Sequence, residues 1–221
     1  SANLNRASVE TMPPCKLTYF DIRGLGEVAR QLLHLSGTPF EDDRVPAHDG
    51  YGTWMKMKNT TPFGTLPLLS VVGKRIPTSG AINHYLAKQF GFAGQSAYDE
   101  ALVMALADQW MDYFDEAKPW LLTENGLWPG EVDEKMKEKL EAGIAKHFPL
   151  MENFIKEHGS GGHCVGSSLT WIDLLLTDHF RSLLRHFPDA LTPYPLLSGV
   201  KKMAASHTKL SEWRKEHDEP F

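Results

Sequence analysis

The chain has 221 residues, 42% of them apolar and 23% charged, and a formal net charge of −5. That is the mix of a globular chain able to bury a core, and the acidic balance argues against a general nucleic-acid binder, which needs a basic face for phosphates. No apolar run reaches the roughly 20 residues of a bilayer-spanning helix.

Residues 1–15 (SANLNRASVETMPPC) are polar, lack the apolar stretch of a signal peptide, and read as an N-terminal extension. Lys16–Phe20 is short and rich in strand-forming types. After the turn Arg23-Gly24-Leu25-Gly26, the segment Glu27–Ser36 has helical period, with Val28, Leu32, Leu33 and Leu35 for burial and Gly37 as its stop. Phe40–Val45 is a second strand, closed by Pro46. A strand–helix–strand unit predicts a parallel pair. A long connection carrying Trp54 and Lys58 leads to Leu68–Val72 and Lys74–Ile76, a hairpin around Gly73. Thr78-Ser79-Gly80 then opens a helix over Ala81–Phe90. The order β-α-β-(irregular helix)-β-β-α is the thioredoxin-like arrangement.

Residues 91–96 (GFAGQS) form the natural linker, and beyond them nearly everything has helical period. Helices are predicted over Asp99–Trp120, over Glu131–His158 with a kink or break at Pro149, over Thr170–Phe187, and near Leu196–Ser206 and Lys209–His217. The strongly apolar Thr170–Phe187 stretch is the candidate central helix, and Thr170-Trp171-Ile172-Asp173 has capping-box form with Asp in place of Glu. The fold class is therefore α/β plus all-α, with an extension at 1–15, a thioredoxin-like domain at 16–92 and an all-helical domain at 97–221.

Three local features carry candidate chemistry. Tyr19 ends the first strand just before a glycine-containing turn into a helix, where open α/β units bind ligands. A hydroxyl there can donate to a thiolate and lower a thiol pKa from its usual value of about 8.5; an ordinary core aromatic is the alternative. Leu66-Pro67 is a candidate cis bond that would offer the Leu66 backbone to a peptide-like ligand, or else a proline that simply starts a strand. Ser79 is either a plain helix N-cap or part of a carboxylate site at the helix N-terminus.

In combination these features resemble a family. KLTYFDIRGLGE, then Trp54 and Lys58, then TPFGTLPLL, TSGAINHYLAKQFG and SSLTWIDLLL are similar to the cytosolic glutathione transferases, specifically the sigma class, over residues 16–221. That class includes helminth transferases, haematopoietic-type prostaglandin D synthases and the S-crystallins. The resemblance implies Tyr19 as the catalytic tyrosine and glutathione as co-substrate. It implies Trp54 and Lys58 at the glycine end of glutathione, and the backbones of Thr65 and Leu66 against its cysteinyl residue. Thr78 and Ser79 would meet the γ-glutamyl carboxylate. Asp112, supported by Asp108, would reach across a homodimer to the partner's γ-glutamyl amine. The expected activity is conjugation of glutathione to small apolar electrophiles in detoxification. Glutathione-dependent isomerisation of prostaglandin H to the D form and a non-catalytic ligand-binding or crystallin-like role are the alternatives.

Departures stand beside the matches. Thr78 replaces a usual glutamine, Thr65 a common lysine or glutamine, and Leu25 an arginine frequent in prostaglandin-synthase-like members, while Arg23 is kept. Cys15 and Cys164 form no framework, which suits a reducing compartment. The family default is cytoplasmic; secretion is the alternative, given the extension and the sequon at Asn59, where a glycan would crowd Lys58. The histidines, including His179 and His186, show no metal-ligand spacing, so no metal is expected. Trp110, Met111, Phe114 and Trp120 are candidates either for the wall of an apolar co-substrate pocket or for plain core.

Overall fold

A computed structural model describes residues 12–217 and residue 221, so the expected extension lies outside the described residues at positions 1–11. Strand β1 (Cys15–Phe20) is central in the sheet, and Leu17, Thr18 and Tyr19 are all buried. It pairs in parallel with β2 (Phe40–Val45) and antiparallel with β3 (Leu68–Val71), which continues antiparallel to β4 (Lys74–Pro77). The sheet order is β2-β1-β3-β4.

The parallel pair requires a crossover, and helix α1 (Glu27–Ser36) supplies it. A 3-10 turn, Gly24–Gly26, leads into α1, and Gly37 ends it at φ 71°, a left-handed conformation that favours glycine. The apolar positions of α1 named above are buried. The long connection folds as α2 (Gly52–Met57) and a 3-10 turn, Lys58–Thr60, ahead of the cis Leu66–Pro67 bond. Helix α3 (Ser79–Phe90) closes this thioredoxin-like unit.

An all-helical domain follows: α4 (Ala97–Glu124), α5 (Glu134–His158), α6 (Trp171–His186), α7 (Pro195–Ser206) and α8 (Thr208–Glu216). Caps set the starts of the first two. Ser96 Oγ accepts from the Asp99 N–H at 3.1 Å, and the Asp133 carboxylate accepts from the Met136 N–H at 2.8 Å. The Asp133 cap leaves Val132 outside the helix, so α5 begins later than its apolar period suggests.

Of the kink or break expected at Pro149, the break does not occur: α5 runs through it. An interior proline costs about 3 kcal/mol, and here the burial of Phe148, Met151 and Ile155 on either side of it keeps the helix running. Pro119 lies within α4 in the same way. Helix α6 is the core of the domain: Trp171, Leu174, Leu176, Phe180 and Leu183 are buried, and it packs against α1, α4 and α7. Its contact with α1 ties the two domains together.

Candidate active site

Tyr19 sits at the C-terminal end of β1, buried and only 6% exposed, and lines a cleft between the domains. The turn after β1 is shaped around that ring. A Cβ on Gly26 would lie 2.4 Å from Tyr19 Cδ1, and one on Gly24 would lie 2.7 Å from its hydroxyl. Both positions therefore need glycine for close approach. The turn also brings the Leu25 N–H within 3.0 Å of the Tyr19 hydroxyl, to which it donates.

Burial pushes the Tyr19 phenol up to about 12, against the opposing pull of the Leu25 hydrogen bond and the Arg30 charge. The hydroxyl is thus protonated at neutral pH. With a lone pair already occupied by Leu25, its proton is available to a third atom.

Buried arginines hold this corner. Arg30 on α1 donates to the carbonyls of Ile22 (2.7 Å) and Phe20 (3.1 Å), and its guanidinium carbon lies 5.7 Å from the Tyr19 ring centre. It also pairs with Asp42 on β2 at 3.0 Å. Arg23 reaches into the helical domain, where it donates to the Asp178 carboxylate at 2.5 Å and to Ser182 Oγ at 2.6 Å. Neither role was legible in the sequence beyond the presence of Arg23 in the motif. A buried charge that lost its partner would be strongly destabilising, so Arg23 ties the turn after β1 to the helical domain.

The cleft encloses about 380 Å³, a size suited to a small-molecule site. Its walls are largely apolar and come from both domains: Phe20, Trp54 and Leu66 from the first, Phe114 and Leu122 from α4. Leu127 and Trp128, between α4 and α5, complete it together with Phe221. Tyr51 bridges its mouth by donating from its hydroxyl to the Leu127 carbonyl.

The expected site residues fall into distinct groups. Tyr19, Trp54 and Leu66 line the cleft together. Leu66 also lies outside the sheet ladder, which begins at Leu68. Lys58 is exposed beyond α2, with its stem close to Gly64. Thr65 and Thr78 are exposed. Ser79 is buried and shares a small cavity with Asp108. Asp112 is exposed on α4.

The cap of α3 differs from expectation. Thr78, at φ 68° and ψ 140°, occupies the N-cap position without a side-chain cap bond, and Ser79 is the first helical residue. The Ser79 hydroxyl is therefore not spent on capping the helix.

Of the four aromatic and methionine candidates on α4, only Phe114 reaches the cleft. Trp110 stacks on Phe114 with ring centres 4.8 Å apart, and Met111 faces the small cavity beside Ser79. Trp120 packs against His186 and Phe187 in the core. Lys118, Tyr51 and Trp128 belong to the cleft but were not singled out by the sequence. His179 bonds to the Tyr113 hydroxyl at 3.0 Å, and His186 faces Glu124.

A thioredoxin-like domain with a tyrosine hydroxyl at the end of β1, joined to a helical domain across an apolar cleft, defines a transferase of the glutathione-using kind. Residues 15–88 match the glutathione S-transferase N-terminal domain and residues 127–217 the C-terminal domain. The chain is 40% identical over 198 residues to probable glutathione S-transferase 7 of Caenorhabditis elegans, covering 90% of this chain and 94% of that one. The solved structure of a Nu-class GST from Haemonchus contortus aligns with a TM-score of 0.78 at 35% identity, covering 92% and 97% of the two chains. Prostaglandin synthase D of Nilaparvata lugens aligns with a TM-score of 0.77 at 27% identity, covering 93% and 99%. The chain belongs to the glutathione S-transferase family.

No helix among the described residues is long and apolar enough to cross a membrane.

Proposed function

We propose that Tyr19 donates a hydrogen bond to the sulfur of glutathione, holding it as the thiolate that attacks a small apolar electrophile in the cleft. The observation that carries this is the protonated hydroxyl of Tyr19, already accepting from Leu25 and borne by a residue that lines the apolar cleft. A donor favours the charged form of a thiol, and the thiolate is the nucleophile. Tyr19 acts as a hydrogen-bond donor and not as a base; the thiol proton leaves to solvent. The test is Tyr19→Phe, assayed with a chromogenic aryl halide. Turnover should fall at least about tenfold, with glutathione affinity nearly unchanged; undiminished turnover removes Tyr19 from this role.

The rest of the glutathione grip is part of the same proposal. Trp54 and Lys58 take the glycine end, where a lysine suits a carboxylate. The backbones of Thr65 and Leu66 pair with the cysteinyl residue. Thr78 and Ser79 meet the γ-glutamyl carboxylate at the α3 N-terminus. The exposure of Asp112 leaves it available to a second copy, as the proposed homodimer requires. The domain limits we propose are 16–92 and 97–221.

Sigma-class membership rests on the sequence blocks around Tyr19 and Pro67, with the Nu class as its rival. Prostaglandin H isomerisation is the second reading, favoured by the likeness to the Nilaparvata lugens synthase. Formation of prostaglandin D from prostaglandin H and glutathione tests it, and absence of that product excludes it.

A further inference from the structure

Among the described residues that line the cleft, Lys118 carries the only charged side chain. Helix α4 presents Phe114, Lys118 and Leu122 to the cleft at every fourth position, which is one face of a helix. A lysine thus interrupts an otherwise apolar stripe. Its ammonium sits 6.0 Å from the centre of the Trp128 ring, a cation–π contact. That contact engages the charge through the ring face and leaves the N–H donors unused. Among the described residues Lys118 forms no ion pair; Glu116, two positions before it, is engaged by Lys146 at 2.7 Å, and Glu124 faces His186 at 3.5 Å.

We propose that the electrophile accepted by this enzyme carries a carboxylate on an apolar body, and that Lys118 is the residue that selects it. This rests on the glutathione-transfer reading above. An aromatic wall takes the body, and the ammonium of half-buried Lys118 beside it takes the anion, where charge-assisted hydrogen bonds are stronger than in water. The chain as a whole is acidic, with net charge −5, so its overall field repels anions and a local cation is what reverses that preference.

A suitable probe is an aryl vinyl ketone bearing a carboxylate, compared with its methyl ester. In each, the glutathione thiolate forms a bond to the β-carbon, the π pair moves onto the enolate, and water protonates the α-carbon; no group leaves. The readout is the ratio of kcat/KM for acid over ester, each corrected for its uncatalysed rate. Wild type should favour the acid, and Lys118→Met should lower the ratio about tenfold, whatever happens to the absolute rates. Lys118→Arg should restore it, and raising salt should lower the wild-type ratio. A ratio unaltered in Lys118→Met overturns the inference. Calorimetric binding of the saturated acid and its ester reads the same ratio without turnover. If neither ketone nor an aryl halide is turned over, the transfer reading fails, and the binding ratio still decides whether Lys118 selects carboxylates.

Discussion

The Leu25 N–H donates to the Tyr19 hydroxyl at 3.0 Å, across a turn that begins as soon as β1 ends. This contact fixes the direction of the phenol and leaves it a single useful function, donation. Because burial holds Tyr19 up at about 12, the donor persists across the whole range in which a thiol titrates. The thiol of bound glutathione should therefore ionise below its usual value of about 8.5, seen as thiolate absorbance in the ultraviolet. In Tyr19→Phe that midpoint should move back by about one unit or more. An unmoved midpoint means that the sulfur does not receive this hydrogen bond.

Gly26 tests the same corner by steric means. Its φ of −87° suits any L-residue, so alanine there meets no backbone penalty. The new Cβ would fall 2.4 Å from Tyr19 Cδ1, and the ring must shift. A displacement of an ångström can cost about a hundredfold in rate. Gly26→Ala should lose at least about tenfold in kcat/KM while keeping a native far-ultraviolet circular dichroism spectrum. Full activity would show that the ring position is not critical.

Much of this arrangement is legible in the sequence because it is local. The strand, turn and helix from Lys16 to Ser36 announce themselves by period and glycine placement, and the structure follows them closely. The cleft is less legible because its wall is assembled from distant segments. Phe114 and Trp120 look alike as aromatic residues of one helix, yet six positions turn them to different faces, one to the cleft and one to His186. Lys118 lies on the Phe114 face, which the spacing alone would have revealed. Trp128 and Tyr51 could not be placed, since only the fold brings the α4–α5 connection over α2. The unbroken course of α5 through Pro149 has a related reason: a local penalty is outweighed by tertiary burial. The Arg23–Asp178 pair spans 155 positions and has no local signature.

His179 makes the helical domain sensitive to acid. Burial lowers it to about 3, with the Arg23 charge adding to the effect, so the folded protein keeps it neutral beside the Tyr113 hydroxyl. Unfolded, it titrates near 6.5. The folded pKa is depressed, so the stability it contributes is present above 6.5 and is lost as pH falls from there toward 3. Between pH 7.5 and 4.5 the loss from this residue should be about 3 kcal/mol at most. Urea midpoints should show it, and His179→Gln should flatten the dependence. An identical slope in the variant would place acid sensitivity elsewhere.

Asp173 offers a contrast, because its removal should affect folding and leave the chemistry alone. Its carboxylate is fully buried and accepts from the Thr170 N–H (2.7 Å), Thr170 Oγ1 (2.9 Å) and the Cys164 N–H (2.7 Å). It closes the N-terminus of α6 and also pins the loop that precedes it. Asp173→Ala strands buried donors around the start of the most deeply packed helix. A charged acceptor is worth about 1.5–3 kcal/mol per bond, and with partial relaxation the loss should be about 3 kcal/mol or more. Asp173→Asn, which keeps the shape and one carbonyl oxygen, should lose less. The midpoint in urea measures both, and kcat per folded molecule should stay near wild type, because Tyr19 is held by α1 and the turn before it. A loss below about 1 kcal/mol would mean that the start of α6 is secured by apolar packing alone.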